Sequence, residues 1–296
     1  MKIFVTGPTG FVGSAVVQVL LRAGHEVVGL ARSDAAVRSL TTAGARVHRG
    51  DLQDLESLRK GASESEGVIH TGFIHDFSKF KENCELDRKV VDTLGSELAG
   101  SDRPLIVTSA IGVLPAGQIA TEATRPLSPS PNPRAATEEA ARVLMDRGVC
   151  VSIVRLSPST HGESDHGFVP ILIKMAKEKN ASAYIGEGKN TWPAVHRLDA
   201  AQVFKLALEK KTRGAYYHAV AEEGVEFRKI AEVIGQRLEV PVVSKTSEEA
   251  VAHFTWFAHF ASMNVKASSN QTQETLGWHW SQPGLIADLQ SNYFKV

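Results

Sequence analysis

Lys2-Ile3-Phe4-Val5-Thr6-Gly7-Pro8-Thr9-Gly10-Phe11-Val12-Gly13 decides the fold. A β-branched and aromatic run ends in Gly7, and apolar Val12, Val16, Val19 and Leu20 then recur at the spacing of one helix face. The glycines between strand and helix follow a GxxGxxG pattern. The first permits a tight turn, the second lets backbone approach a pyrophosphate, and the third lets helix and strand pack closely. The helix N-terminus adds N–H donors and a positive dipole end. Thr6, Gly7, Thr9, Gly10, Phe11, Val12 and Gly13 are therefore expected to cradle a dinucleotide.

Outward from that loop, strand and helix patterns alternate. Strands are expected at 26–31, 46–51, 67–71, 104–109 and 149–156, with helices at 52–60, 82–99 and 135–147 between the later ones. Such alternation predicts an α/β fold, a Rossmann doubly wound parallel sheet. Several strands are apolar throughout, as expected when helices cover both faces. After Leu156 the rhythm breaks into a polar stretch, a helix at 169–179 and an irregular segment at 186–193. Helices at 199–209 and 226–238 and a strand at 215–220 then resume it. We expect a dinucleotide-binding domain from residues 1–160 and 195–238, and a small, mostly C-terminal substrate-binding subdomain from 161–194 and 239–296. Trp256, Phe257 and Phe260 at helical spacing are expected in its core.

The end of the second strand selects the cofactor. An acidic residue there would hold the ribose hydroxyls of NAD, whereas this chain has Arg32-Ser33. A guanidinium pairs bidentately with a 2′-phosphate and a neighbouring hydroxyl adds a hydrogen bond, which points to NADP(H) ahead of NAD(H). Asp34 is the alternative ribose partner, and Arg38 a second phosphate contact. Asp51-Leu52 fits a carboxylate accepting from the adenine amino group with the leucine behind the ring. Thr71-Gly72, after the fourth strand, is expected to pass under the cofactor, with Thr108 beside it.

The chain's 33 basic and 33 acidic residues cancel, so no basic field attracts nucleic acid or an anionic membrane. No apolar run reaches the ~20 residues of a membrane span, and no signal-peptide pattern opens the sequence; a cytoplasmic protein is expected. Cys84 and Cys150 are too few for a disulfide framework and lack metal-ligand spacing. No metal is expected, because His161, Asp165 and His166 do not follow a ligand pattern.

The glycine loop, Asp51-Leu52, Val107-Thr108-Ser109, Arg155 to Gly162 and Pro193 to Ala200, in that order, resemble the extended and atypical branches of the short-chain dehydrogenase/reductase superfamily, which include the NAD-dependent epimerase/dehydratase-like proteins. The resemblance runs over nearly the whole chain. It implies that a Tyr and a Lys four residues later, on the helix before the sixth strand, act with a Ser or Thr from the fifth. Here Arg134 stands at the Tyr position and Glu138 at the Lys position, and no tyrosine occurs between Met1 and Ala183. Arginine stays protonated and is a poor proton donor, but it can stabilise an oxyanion. Arg134 and Glu138, one turn apart, are also placed to pair with each other.

Ser109 is the expected orienting hydroxyl. His161 is a candidate proton donor, with His166 and His75 behind it. Ser109, Arg134, His161 and Glu138 thus form the candidate catalytic set. The function expected is an NADP-dependent oxidoreductase acting on a small organic substrate with a non-standard proton donor. An NADP(H)-sensing regulator without turnover, and an epimerase, isomerase or lyase that retains its cofactor, stay open. Reduction of an activated double bond, whose proton can come from water, tolerates the missing Tyr better than ketone reduction. Proteins of this superfamily often dimerise through the helices here at 82–99 and 135–147, so a homodimer is the partner the resemblance allows.

Overall fold

The computed structural model describes residues 1–294. Seven parallel strands make the central sheet: β1 Lys2–Thr6, β2 Glu26–Ala31, β3 Arg46–Arg49, β4 Gly67–His70, β5 Leu105–Ala110, β6 Val151–Leu156 and β7 Tyr216–Ala219. Their spatial order is β7-β6-β5-β4-β1-β2-β3. The chain builds one side of the sheet outward from β1, then returns to place β4 against β1 and builds the other side. The carboxyl ends of β1 and β4 flank that reversal, where open α/β sheets take their ligands.

Alternate residues of each strand feed two cores. Ile3, Val5, Ile69, Ile106 and Val154 pack beneath α1 Phe11–Arg22 and α7 Arg197–Lys210, against Val16, Leu20, Phe204 and Leu208. Phe4, Val68, Val107 and Ile153 pack on the other face beneath α3 Leu55–Ser63, α4 Phe80–Glu97 and α5 Ala136–Asp146. Among them Val91, Leu94, Ala141 and Leu144 are fully buried. Cys84 and Cys150 are buried and unpaired. No helix among the described residues is long and apolar enough to cross a membrane.

The second lobe has its own core. Trp192, Phe227, Phe254, Phe257, Leu172, Ile230 and Leu285 meet in it. Helix α6 Phe168–Lys179, the helix Phe227–Leu238 and the three-stranded sheet of Ser159–His161, Thr191–His196 and Glu222–Glu226 frame it. Two differences from the sequence reading arise here. The helix Phe227–Leu238, expected in the first domain, belongs to the second lobe, because Phe227 packs edge-on against Trp192 at 4.9 Å and Ile230 and Ile234 follow it inward. Conversely, Trp278 from the tail is buried in the first lobe and its indole N–H donates to the Asp199 carbonyl at 3.0 Å. The segment read as irregular runs into the first residues of the strand Thr191–His196. Its register shifts between Trp192 and Ala194, at Pro193, which has no N–H for a regular ladder.

Candidate functional site

The glycine loop closes on the strand beside it. Gly7 has φ +64°, and a Cβ there would lie 2.7 Å from the Gly72 backbone. A Cβ on Gly13 would lie 2.0 Å from the Gly7 carbonyl oxygen. Both positions are closed to a side chain, and this closeness lets the turn Gly7–Gly10 carry the chain from β1 into α1. Helices α2 Asp34–Ala43 and α3 are capped by the Ser33 and Asp54 side chains. α1 has no side-chain cap at Gly10 and no acidic residue in its first turn. Its amides are left for an outside acceptor, and Thr9 and Gly10 are exposed. The Phe11 ring packs against His166 at 5.8 Å and under the Arg197 guanidinium at 5.2 Å. A pyrophosphate between a positive helix end and Arg197 fits this donor set.

Beyond β2, Arg32 is exposed and makes no ion pair or side-chain hydrogen bond with the described residues. The Ser33 hydroxyl accepts from the Ala36 N–H at 3.2 Å, which leaves its proton to donate. Asp34 is held by Arg49 at 2.6 Å. Arg38 is exposed on α2. One oxygen of Asp51 accepts from the Gln53 N–H at 2.9 Å. The Leu52 methyls lie against Gly72, 3.0 Å from where its Cβ would be. Thr71 donates to the Thr6 carbonyl at 2.7 Å, and Val12 is half-buried at the start of α1.

A row of polar side chains crosses the carboxyl ends of the sheet on the α4/α5 face. Thr6 and His70 stand in register on β1 and β4, and Ser109, Arg155 and His218 on β5, β6 and β7. All five are buried. The first pair continues into α4. The Gly72 N–H donates to Thr6 Oγ1 at 3.2 Å, Thr6 donates to His70 Nδ1 at 2.7 Å, and His70 Nε2 donates to Asp87 Oδ1 at 2.9 Å. The other Asp87 oxygen accepts from Thr137 at 2.5 Å and from Arg134 at 2.8 Å. Burial alone would raise the Asp87 carboxyl, but Arg134 and His70 outweigh it and hold it down at about 2.

Arg134 therefore does not pair with Glu138. It is fixed by Asp87, by Thr137, by the Thr108 carbonyl at 3.1 Å and by the Phe73 ring at 4.4 Å. Its side chain is 15% exposed, whereas Asp87 is enclosed. Thr108 donates to the His70 carbonyl at 2.6 Å, so its hydroxyl is also taken. Glu138 makes two 2.8 Å hydrogen bonds with Arg155, both side chains 1% exposed. Its expected place in the catalytic set is corrected on that ground, since a carboxylate locked under the sheet meets no substrate. Arg155 also donates to His218 Nε2 at 3.2 Å, while His218 Nδ1 donates to the Ser268 carbonyl at 2.7 Å. Burial and the neighbouring Arg155 push His218 down to about 3. Ser109 Oγ is buried with no partner, the one hydroxyl of the row left uncommitted.

His161 is likewise enclosed, at 1% exposure. Its Nδ1 is 2.7 Å from Asp288 Oδ2 and its Nε2 has no partner. Of the candidate histidines, His75 and His166 are exposed. His75 lies beside Phe73 at 5.2 Å. The protein atoms around it, with Arg134 and His166, hold its imidazole below the ordinary range although its outer edge meets solvent. His161, Asp165 and His166 do not converge. Asp165 accepts from Tyr293 at 2.5 Å and from the Gly167 N–H at 2.7 Å, while His166 turns to Phe11. No metal-binding cluster occurs among the described residues.

Asp87 is the site residue that sequence reasoning missed. Its signal was present: Cys84, Asp87, Val91 and Leu94 form one buried stripe of α4, and a carboxylate in an apolar stripe has a partner.

Residues 3–220 match the model of the NAD dependent epimerase/dehydratase family. An uncharacterized protein of Schizosaccharomyces pombe is 50% identical over 99% of this chain and 100% of its own length. Another, of Saccharomyces cerevisiae, is 46% identical over 99% of both chains. The sterol-4-alpha-carboxylate 3-dehydrogenase (decarboxylating) of Dictyostelium discoideum is 25% identical over 77% of this chain and 74% of its own. Among solved structures, MoeE5 in complex with UDP-glucose and NAD superposes with a TM-score of 0.76 at 22% identity, covering 99% of this chain and 97% of that one.

Proposed function

The chain belongs to the NAD dependent epimerase/dehydratase family, and from that premise we propose that it is an NADP(H)-dependent oxidoreductase acting on a small organic substrate. The observation that carries this reading is the anchored Arg134 guanidinium. It is partly open and lies on the same hydrogen-bonded chain as the glycine-loop strand, and the sequence register matches it to the position of the superfamily's proton donor.

Bound on the glycine loop, the nicotinamide dinucleotide supplies a hydride. The α1 amides and Arg197 receive the pyrophosphate, and Arg32 with the Ser33 hydroxyl receives the 2′-phosphate. Asp34, engaged by Arg49, leaves that end of the site cationic. Asp51 accepts from the adenine and Leu52 backs it. In the substrate, negative charge growing on an oxygen is met by Arg134 N–H donors. They are already oriented by Asp87 and Phe73 and so need no rearrangement. Arg134 keeps its own protons. The proton that completes the reduction comes from water or from His166, which is exposed beside Phe11 at the start of α1. Ser109, enclosed at 1% exposure, meets no substrate, so the orienting role expected of it is not assigned.

A cofactor sensor without turnover is the second reading, favoured by Glu138 being locked to Arg155 where a ribose-binding Lys is expected. Titration with NADPH and NADH, followed by NADPH consumption over aldehydes, ketones, imines and conjugated alkenes, separates the two. Tight NADPH binding with consumption of one class supports the oxidoreductase. Tight binding without consumption of any class replaces it with the sensor or with an epimerase, isomerase or lyase that retains its cofactor. Equal affinity for both cofactors removes the role given to Arg32.

A further inference from the structure

The rings at the cleft form an ordered stack. Phe80, Phe77 and Trp256 lie nearly parallel, with centroids 5.7 and 5.2 Å apart and interplanar angles of 28° and 26°. Phe80 and Phe77 come from the segment that follows β4, and Trp256 from the second lobe, so the stack spans both lobes. Phe260 closes one edge, 5.5 Å from Phe77. At the other end Phe73 meets Phe80 at 6.3 Å and carries the Arg134 guanidinium on its face. A continuous aromatic wall thus leads from Trp256 to the candidate oxyanion-stabilising group.

Trp256 remains 50% exposed. Its neighbour Phe257 is fully buried in the second-lobe core, so Trp256 is not exposed because the segment fails to pack. The half-open indole leaves ring surface at the outer end of the stack on which a flat group can lie. Ring faces attract ring faces in offset-parallel or edge-on packing, and a flat group gains this where a puckered ring of similar size does not. The polar rings beside the wall are His75, 6.3 Å from Phe77, and His259, 5.5 Å from Phe260. The wall's one guanidinium lies at the end where chemistry is assigned.

We propose that the substrate carries an aromatic ring which packs on the Phe77–Trp256 wall and directs its reducible group toward Arg134. This rests on the oxidoreductase reading above for the chemistry, but not for the binding. If the wall only locks the lobes together, flat and puckered ligands are treated alike.

The test uses a matched pair, benzaldehyde and cyclohexanecarbaldehyde, in NADPH consumption, with their alcohols in calorimetric titration with and without NADP. In the unmodified protein the aromatic member is expected to have at least about tenfold higher kcat/KM and tighter binding, the sum of one or two ring contacts. Trp256→Leu with Phe77→Leu keeps an apolar wall and is expected to erase the preference through KM, while Trp256→Phe restores it. NADPH affinity stays unchanged throughout.

Aromatic-selective binding without consumption of either aldehyde retains the aromatic site and overturns the oxidoreductase. Consumption of both aldehydes at equal kcat/KM retains the oxidoreductase and overturns the aromatic site. A preference that survives in the folded double Leu variant also overturns it.

Discussion

Arg134 donates to Asp87 across 2.8 Å, which ties the turn that opens α5 to the middle of α4. The guanidinium is aimed by a buried carboxylate, and that carboxylate is shared with His70.

Asp87→Asn keeps the shape and removes the charge that aims Arg134. The expected result is a loss of about tenfold or more in kcat with NADPH affinity unchanged, because the cofactor contacts are elsewhere. Stability is expected to fall by ~3 kcal/mol as a buried pair is broken. Steady-state kinetics, cofactor titration and urea unfolding read the three quantities separately. An unaltered kcat would mean that Arg134 does not meet the reacting group.

Arg32→Glu is expected to weaken NADPH binding at least about tenfold and to leave NADH nearly unchanged, since only a 2′-phosphate distinguishes the two. Equal losses in titration would show that Arg32 is not the phosphate contact.

Gly13→Ala and Gly10→Ala form a graded pair. The added methyl meets the Gly7 carbonyl at 2.0 Å in the first and at 3.2 Å in the second. The first is expected to cost ~3 kcal/mol in stability and to abolish detectable cofactor binding, while the second is milder. Thermal unfolding and NADPH titration check the order.

Glu138→Gln leaves Arg155 charged and unmatched at 1% exposure. The expected destabilisation is ~3–5 kcal/mol. Replacing both partners, with Arg155→Met and Glu138→Leu, is expected to recover most of it. A small effect of the single change in denaturant unfolding would contradict the buried pair.

Stability is also expected to decline in acid in two stages. His218 is neutral in the folded protein down to about 3, against 6.5 when unfolded. Its contribution is complete above 6.5 and is lost as the pH falls toward 3, by up to ~1.4 kcal/mol per unit. Asp87, at about 2 when folded and 3.8 when unfolded, adds a further loss below 3.8. Unfolding free energies between pH 4 and 7 in His218→Gln should lack the first slope.

Much of this architecture can be read from local patterns. Strand, glycine loop and α1 are continuous in sequence, so Gly7 and Gly13 announce themselves by spacing alone. The apolar stripe of helix Phe227–Leu238 tells that it packs, not against what. Phe227 finds Trp192, which lies far away in the chain. The pairs of Arg134 and Glu138 were hidden for the same reason. One turn of helix suggests a local ion pair, but the sheet beneath offers Arg155 and α4 offers Asp87, each with better geometry. Ser109 falls on β5 as its pattern suggests, but His161, expected in a loop after the sixth strand, lies on the strand Ser159–His161 of the second lobe, and its enclosure depends on Asp288 in the final helix.

The register of β7 carries a consequence for synthesis. β7 pairs with β6, yet everything from Ser157 to Ala215, which includes much of the second lobe, is made before it. A ribosome-bound chain that has finished β6 therefore presents the open edge Val151–Leu156 to the cell, buried in the finished protein almost throughout. Until β7 emerges, that edge is a template for pairing with other chains. Truncations ending between the two strands should aggregate, and the nascent protein should be a client of chaperones over that interval.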